Sequence, residues 1–296
     1  MARPRLSSLF FVVFHLQLVL ISATSEAKSD EHPKKHVHFF IFGDSFLDAG
    51  NNNYINTTTL DQANFWPYGE THFNFPTGRF SDGRLMVDFI AEYANLPLIL
   101  PFLQPGIDQY RFGVNFASGG AGALVETFQG DDVYELGGRK FAFINLPELG
   151  CLPAMRIIKP ENNGKCLEEA SLLATLHNKA LSKLLFGLEK QLKGFRYSIY
   201  DFKTSLHQRM KHPSKYGLKQ GKAACCGTGK FRGVYSCGGK RAVKEFELCK
   251  NPNEYLFWDS FHLTEMAYKQ LADEMWGGNG NSLAVGPYNL KQLFQN

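Results

Sequence analysis

The chain contains no internal repeat, no low-complexity tract and no block of like charge. Its longest basic cluster is the pair Lys34-Lys35, and the net charge of +4 comes from interleaved acidic and basic residues. Nothing here offers nucleic acid an electrostatic footprint. Phosphate-binding loops are missing as well. The Gly-rich run Ser118 to Gly122 does not read G-x-G-x-x-G, and Gly227-Thr228-Gly229-Lys230 lacks the spacing and the following Ser or Thr of a P-loop. Metal ligands at useful spacing are also scarce, since Cys225 and Cys226 are adjacent rather than in C-x-x-C and no His pair lies near them. No metal or organic cofactor is expected. The longest apolar run falls short of the roughly 20 residues that span a bilayer, so no stable membrane anchor is expected either.

What is present fits one globular domain: 296 residues, 44% hydrophobic and 20% charged. Arg3 and Arg5 precede the apolar run Leu9 to Ile21, and the small residues Ser22, Ala23, Ser25 and Ala27 follow it. This reads as a secretory signal peptide over residues 1–27, cleaved between Ala23 and Ala27, with residues 28–296 as the domain. Six cysteines in an exported chain point to disulfides. Six cysteines allow 15 pairings, and no pairing is assigned. Asn56-Thr57-Thr58 is a glycosylation sequon in a polar loop, consistent with a secreted, extracellular protein.

Strands and helices alternate along the rest. The run Val37 to Phe42 is apolar and aromatic and ends in Gly43-Asp44-Ser45, the pattern of a buried strand closing in a tight turn. Ser45 therefore sits at a strand's carboxyl end, where open α/β sheets bind ligands, although a serine there is more often a helix cap. Residues up to Asp82 read as an irregular surface loop rich in Asn, Pro, Gly and aromatics. Arg84 to Ala94 reads as a helix, Gly113 to Ala117 as a second strand, and Lys140 to Leu146 as a third. The second strand runs into Ser118-Gly119-Gly120-Ala121-Gly122, where backbone N–H groups can approach a ligand closely. Glu168 to Lys193 carries Leu173, Leu176, Ala180, Leu184, Leu188 and Leu192 on one face of a long helix, and Arg196 to Phe202 follows as a fourth strand. This alternation predicts an α/β fold with a doubly wound parallel sheet. Cys225 to Cys249 reads as a stapled surface loop. Asp259 and His262 stand three apart in a turn before a helix from about Glu265 to Trp276, with Thr264 as its cap.

A serine after the first strand, a glycine cluster after the second and a D-x-x-H pair before the last helix, in that order, resemble the GDSL (SGNH) family of esterases and lipases. The resemblance runs from about His36 to the C-terminus. It is closest to secreted plant members through F-G-D-S-F-L-D-A-G-N-N-N, P-T-G-R-F-S-D-G-R, G-V-N-F-A-S-G-G-A-G, G-G-R-K-F, Y-L-F-W-D-S-F-H-L-T-E and G-P-Y-N-L. Phe46 stands where the name-giving Leu would be. The resemblance implies a three-layer flavodoxin-like parallel sheet with helices on both faces. It also implies Ser45 as nucleophile, His262 as general base and then acid, and Asp259 as the residue orienting it. The substrate would be a carboxylic ester of a lipid or small acyl group, attacked through an acyl-enzyme.

The family's oxyanion hole uses the nucleophile's own N–H, a glycine whose best match here is Gly119, with its neighbour Gly120 as the alternative, and an Asn in a third block, G-x-N-D. No G-x-N-D occurs in this chain, which passes from the glycine cluster to Gly137-Gly138-Arg139-Lys140-Phe141 with an apparent shortening near residues 129–133. Loss of one such donor costs on the order of 10²–10³ in kcat. The missing segment would also carry the sheet's central strand. Only 22 residues separate Ala117 from Lys140, enough for a parallel crossover of about a dozen. The Lys140 strand is therefore expected to pair directly with the Val37 strand, leaving four strands. In that arrangement Asn145 could stand in as the third donor. The competing reading is an accessory or inactive relative, or a truncated isoform.

Overall fold

A computed structural model describes residues 18–23 (backbone only), 37–57, 61–107, 110–122, 133–278 and 284–295. The strands in chain order are β1 (Leu18–Ala23), β2 (Val37–Phe42), β3 (Lys140–Ile144), β4 (Arg196–Tyr200), β5 (Gln220–Ala224), β6 (Cys226–Gly227), β7 (Glu247–Leu248), β8 (Tyr255–Phe257) and β9 (Val285–Pro287). The helices are α1 (Met86–Tyr93), α2 (Glu168–Gln191), α3 (Phe202–Lys211), α4 (Glu265–Trp276) and α5 (Leu290–Gln295). The main sheet runs β2-β1-β3-β4-β9.

Period-two burial explains the layering. In β2 the side chains of Phe39 and Ile41 are sealed on one face, and Phe40 and Phe42 point to the other, where they are half-buried. Phe39 and Ile41 join Ala142 and Ile144 of β3 in a core closed by Val87 and Ile90 of α1, Leu271 and Met275 of α4, and Leu293 of α5. Each large apolar side chain sealed there contributes roughly 1.5–3 kcal/mol. On the opposite face Phe141 and Phe143 of β3 and Tyr197 of β4 meet Leu181 and Leu185 of α2.

Beyond β2 the stretch 112–118 runs alongside in parallel. Phe39 and Ile41 donate to the carbonyls of Phe112 and Val114, and the N–H groups of Phe116 and Ser118 return to Ile41 and Gly43. Gly113 permits the approach, because its φ is +105° and a Cβ there would lie 2.0 Å from the Phe39 carbonyl oxygen. The second predicted strand is thus in place as β2's neighbour.

The four-stranded closure is not what forms. β3 does not pair with β2; β1 lies between them, antiparallel to both, with Leu18 opposite Phe42 on one side and opposite Phe143 on the other. β2 is held by its ladder with 112–118 and β3 by its parallel pairing with β4. Direct pairing would require one half of the sheet to slide against the other by about one strand spacing, 4.8 Å. The central position is therefore filled, and filled by residues that read as part of a leader. The rest of that leader and the junction over 123–132 lie outside the described residues.

Two further expectations are corrected. The long loop to Asp82 is irregular and only partly at the surface: Tyr54, Trp66 and Phe75 are exposed, while Asp48, Asn51, Asn52, Ala63, Tyr68, Arg79, Phe80, Ser81 and Asp82 are buried. Its backbone is satisfied by its own side chains, and Arg79 makes a two-point ion pair with Asp88 of α1. The helix α2 spans the expected residues, yet it buries Ala174, Asn178, Leu181 and Leu185 and leaves Leu173 and Leu176 exposed. The expected stripe is split, with Leu173 and Leu176 outward and Leu188 and Leu192 half-buried against the sheet, and Asn178 on the buried side bonds both the N–H and the carbonyl of Leu146 just past β3.

The cysteines pair as Cys151–Cys166, Cys225–Cys249 and Cys226–Cys237, which removes all six as zinc ligands. Among the described residues no helix is long and apolar enough to cross a membrane.

Candidate active site

Ser45 leaves β2 on a turn built by Asp44. The Asp44 carboxylate accepts from the N–H of Phe46, and its carbonyl accepts from Leu47. Asp48 then binds the next segment, accepting from the N–H groups of Gly50, Asn51 and Asn52 and from that of Gly119 across the site. Burial pushes the Asp48 carboxyl up to about 6 against the pull of those four N–H groups. Asn51 ties the same turn to the carbonyls of Asn115 and Ala117, and Asn52 to that of Gly119. The nucleophile turn and the glycine cluster are thus one hydrogen-bonded unit.

His262 arrives from the other end of the chain. β8 pairs in parallel with β5, and the chain after it folds back so that Trp258 donates to the His262 carbonyl. Thr264 caps α4 as expected, accepting from Ala267, while its own hydroxyl donates to the Tyr255 carbonyl. The turn between them holds Asp259 and His262 face to face. His262 Nε2 lies 2.8 Å from Ser45 Oγ, and Nδ1 lies 2.8 and 2.9 Å from the two oxygens of Asp259. Phe80 stacks at a tilt 4.7 Å from the imidazole, and Phe46, in place of a leucine, packs 5.6 Å from it.

Asp259 is fully buried. Burial alone would raise its pKa, but the His262 charge and hydrogen bonds from His262, Tyr68 and the Phe261 N–H overcome this and hold it well below the usual carboxylate range. It is therefore a fixed anion behind the imidazole. Such an arrangement can take a proton from a hydroxyl, stabilise the imidazolium that results and return the proton to a leaving group.

The structure thus unites Ser45, Asp259 and His262 from segments more than 200 residues apart. The glycine candidates separate. Gly119 has its N–H engaged by Asp48 at 3.0 Å, whereas Gly120, at φ +87°, has no hydrogen bond on its N–H among the described residues. Asn145 is engaged at both ends of its carboxamide: Nδ2 donates to Asp201, and Oδ1 accepts from the Lys203 N–H at the start of α3. Asn56 is exposed. Reading the sequence missed Tyr68, whose hydroxyl donates to Asp259 at 2.6 Å, and missed Asp48 and Asn52. Their only local signal is D-A-G-N-N-N, a cluster of turn-forming side chains directly after the nucleophile.

Comparison with known proteins identifies relatives over nearly the whole chain. The family model described as GDSL-like Lipase/Acylhydrolase matches residues 39–136 and 124–275. GDSL esterase/lipase 5 of Arabidopsis thaliana is 48% identical, covering 99% of this chain and 97% of its own length. The GDSL lipase of Tanacetum cinerariifolium is 42% identical over 86% of this chain and 87% of its own. A third relative, named inactive GDSL esterase/lipase-like protein 25, from Arabidopsis thaliana, is 33% identical over 97% of this chain and 80% of its own. The first alignment spans 372 positions, more than the 296 residues of this chain, so that relative has residues without counterpart here.

Proposed function

The chain belongs to the GDSL-like lipase/acylhydrolase family, and from that premise we propose that it is a secreted carboxylic ester hydrolase working through an acyl-enzyme on Ser45. The observation that carries the proposal is the unbroken line from Asp259 through His262 Nε2 to Ser45 Oγ. In the first step Oγ forms a bond to the ester carbonyl carbon while its proton passes to Nε2. The resulting oxyanion collapses, the carbon–oxygen bond to the leaving alcohol breaks, and that oxygen takes the proton from His262. Water then repeats the sequence and frees the acid. Asp259 stays ionised throughout and steadies the imidazolium.

For the oxyanion, the N–H groups of Ser45 and Gly120 are the proposed donors. Gly119 is the weaker choice because Asp48 already accepts its N–H, and Asn145 is the weaker third donor because its carboxamide clamps α3. Shortening of the chain near residues 129–133 would remove the third donor of the family, lowering turnover without touching the triad. Export is supported by the three disulfides and the exposed Asn56 of the sequon; a leader cleaved before Lys28 would take β1 out of the sheet, so cleavage and the β1 pairing are alternatives.

The missing G-x-N-D favours one rival, an accessory protein that folds like the enzymes but does not turn over, and a relative named inactive is among those matched. A serine-directed fluorophosphonate separates the two. The enzyme is expected to label at Ser45 and the Ser45→Ala variant not to label. A folded protein that stays unlabelled beside a labelled relative would decide for the rival.

A further inference from the structure

We propose that Tyr68 is a positioning residue of the triad, fixing the orientation and basicity of the Asp259–His262 pair through its hydrogen bond to Asp259 Oδ2. Tyr68 is fully buried, and its hydroxyl meets Oδ2 at 2.6 Å. The two carboxylate oxygens are served differently. Oδ1 accepts from the N–H groups of Phe261 and His262, both at 2.8 Å. Oδ2 has no backbone donor among the described residues, so Tyr68 is what balances it against the imidazole. Without that hydroxyl Oδ2 would keep only its share of the imidazole N–H against the two backbone donors on Oδ1, the carboxylate would be held less firmly, and one buried lone pair would lose its partner.

The ring is held to match. Phe65, Phe80 and Trp258 meet it edge-on with centroids 5.4, 6.4 and 6.0 Å away, and its N–H donates to the Phe65 carbonyl. Burial and the Asp259 charge push the Tyr68 hydroxyl well above its ordinary range, so it remains a donor at every working pH. The loop stapled by Cys225–Cys249 and Cys226–Cys237 backs the contact from behind: Arg241 lies 3.7 Å over the Tyr235 ring and 5.2 Å from Phe65, and donates to the Gln62 carbonyl. The other ionisable groups around the pair are Tyr235 and Arg241 of this loop, Tyr268 of α4, Asp44 beside the nucleophile and Asp82 ahead of α1.

The direction of the effect follows from charge. A hydroxyl donated to Oδ2 draws off part of the carboxylate's charge, so the imidazolium is less stabilised than it would be beside a bare anion. Tyr68→Phe keeps the ring and removes the donor, which makes His262 more basic. The acid limb of kcat/KM is then expected to move up by about 0.5–1 pH unit, with kcat falling roughly three- to tenfold as the carboxylate loses its fixed orientation.

The proposal rests on the triad reading above, so the test carries a readout that does not need turnover. His262 is titrated by NMR in a Ser45→Ala background with Tyr68 and with Tyr68→Phe, and again with 3-fluorotyrosine at position 68, which makes the hydroxyl more acidic without altering its shape. Support is a His262 titration that moves up for Phe and down for fluorotyrosine. Titrations that coincide in all three proteins overturn the proposal, as does a loss of activity in Tyr68→Phe with the acid limb unmoved. If Tyr68→Phe does not fold, the fluorotyrosine protein alone decides by the same criterion. An unlabelled, inactive parent would count against the esterase reading and leave this titration to be judged by itself.

Discussion

On the face of the sheet covered by α1, α4 and α5, Phe39 and Ile41 of β2 are sealed from solvent, while on the opposite face Phe40 and Phe42 of the same strand are only half-buried and α2 turns Leu172, Leu173, Leu176 and Phe186 outward at 55–66% exposure. The first face carries the helix that follows the triad histidine, and every element that positions Ser45, Asp259 and His262 is packed. On the second face Leu181 and Leu185 of α2 are buried, and among the described residues nothing covers Leu172, Leu173 and Leu176. The difference teaches that the chemistry and the centre of the sheet are separable. The triad is assembled from the nucleophile turn, the loop to Asp82 and the C-terminal turn, none of which belongs to the shortened stretch.

The largest effect is expected at the centre of the sheet. β1 is hydrogen-bonded on both sides, and removing it leaves β2 and β3 with facing unpaired edges. At about 1 kcal/mol net for each backbone bond lost, a chain beginning at Lys28 is expected to lose on the order of 10 kcal/mol, comparable to the whole stability of a domain. Denaturant unfolding of chains beginning at Leu18 and at Lys28 measures this, and equal midpoints would mean that the strand is dispensable.

A smaller contrast lies on α2. Leu185→Ala, on the buried stripe, is expected to cost about 2–5 kcal/mol. Leu173→Lys with Leu176→Lys is expected to change stability by no more than about 0.5 kcal/mol per site in denaturant unfolding. A double variant as destabilised as Leu185→Ala would show that the leucine face is covered after all.

Much of the covered half can be read locally. β2, β3, β4, α1 and α4 lie within a few residues of where periodicity and caps put them, and Thr264 is the cap of α4. α3 was hidden because Phe202 extends the apolar run of β4, although Asp201 carries a capping signal in its bond to the Thr204 N–H. What was not legible is non-local. Tyr68 touches a residue 191 positions away, and β1 is an apolar run whose flanks read as a leader and whose partners lie at Val37 and Lys140. The leucine stripe of α2 misled because periodicity identifies an apolar face without saying what covers it.

A further contrast concerns Asn145. Removing its carboxamide loosens α3 from β3, costing about 1–2 kcal/mol in unfolding experiments, and leaves kcat nearly unchanged. A hundredfold fall in kcat in a stable Asn145→Ala protein would return that residue to the oxyanion.

The central claim is that the triad half is complete while one oxyanion donor is missing, and steady-state hydrolysis of an activated short-chain ester tests it most directly. Turnover that depends on Ser45 and lies about 10²–10³ below that of a relative possessing the third block is the predicted result. Turnover equal to that relative's, or none at all from folded protein, would contradict the account.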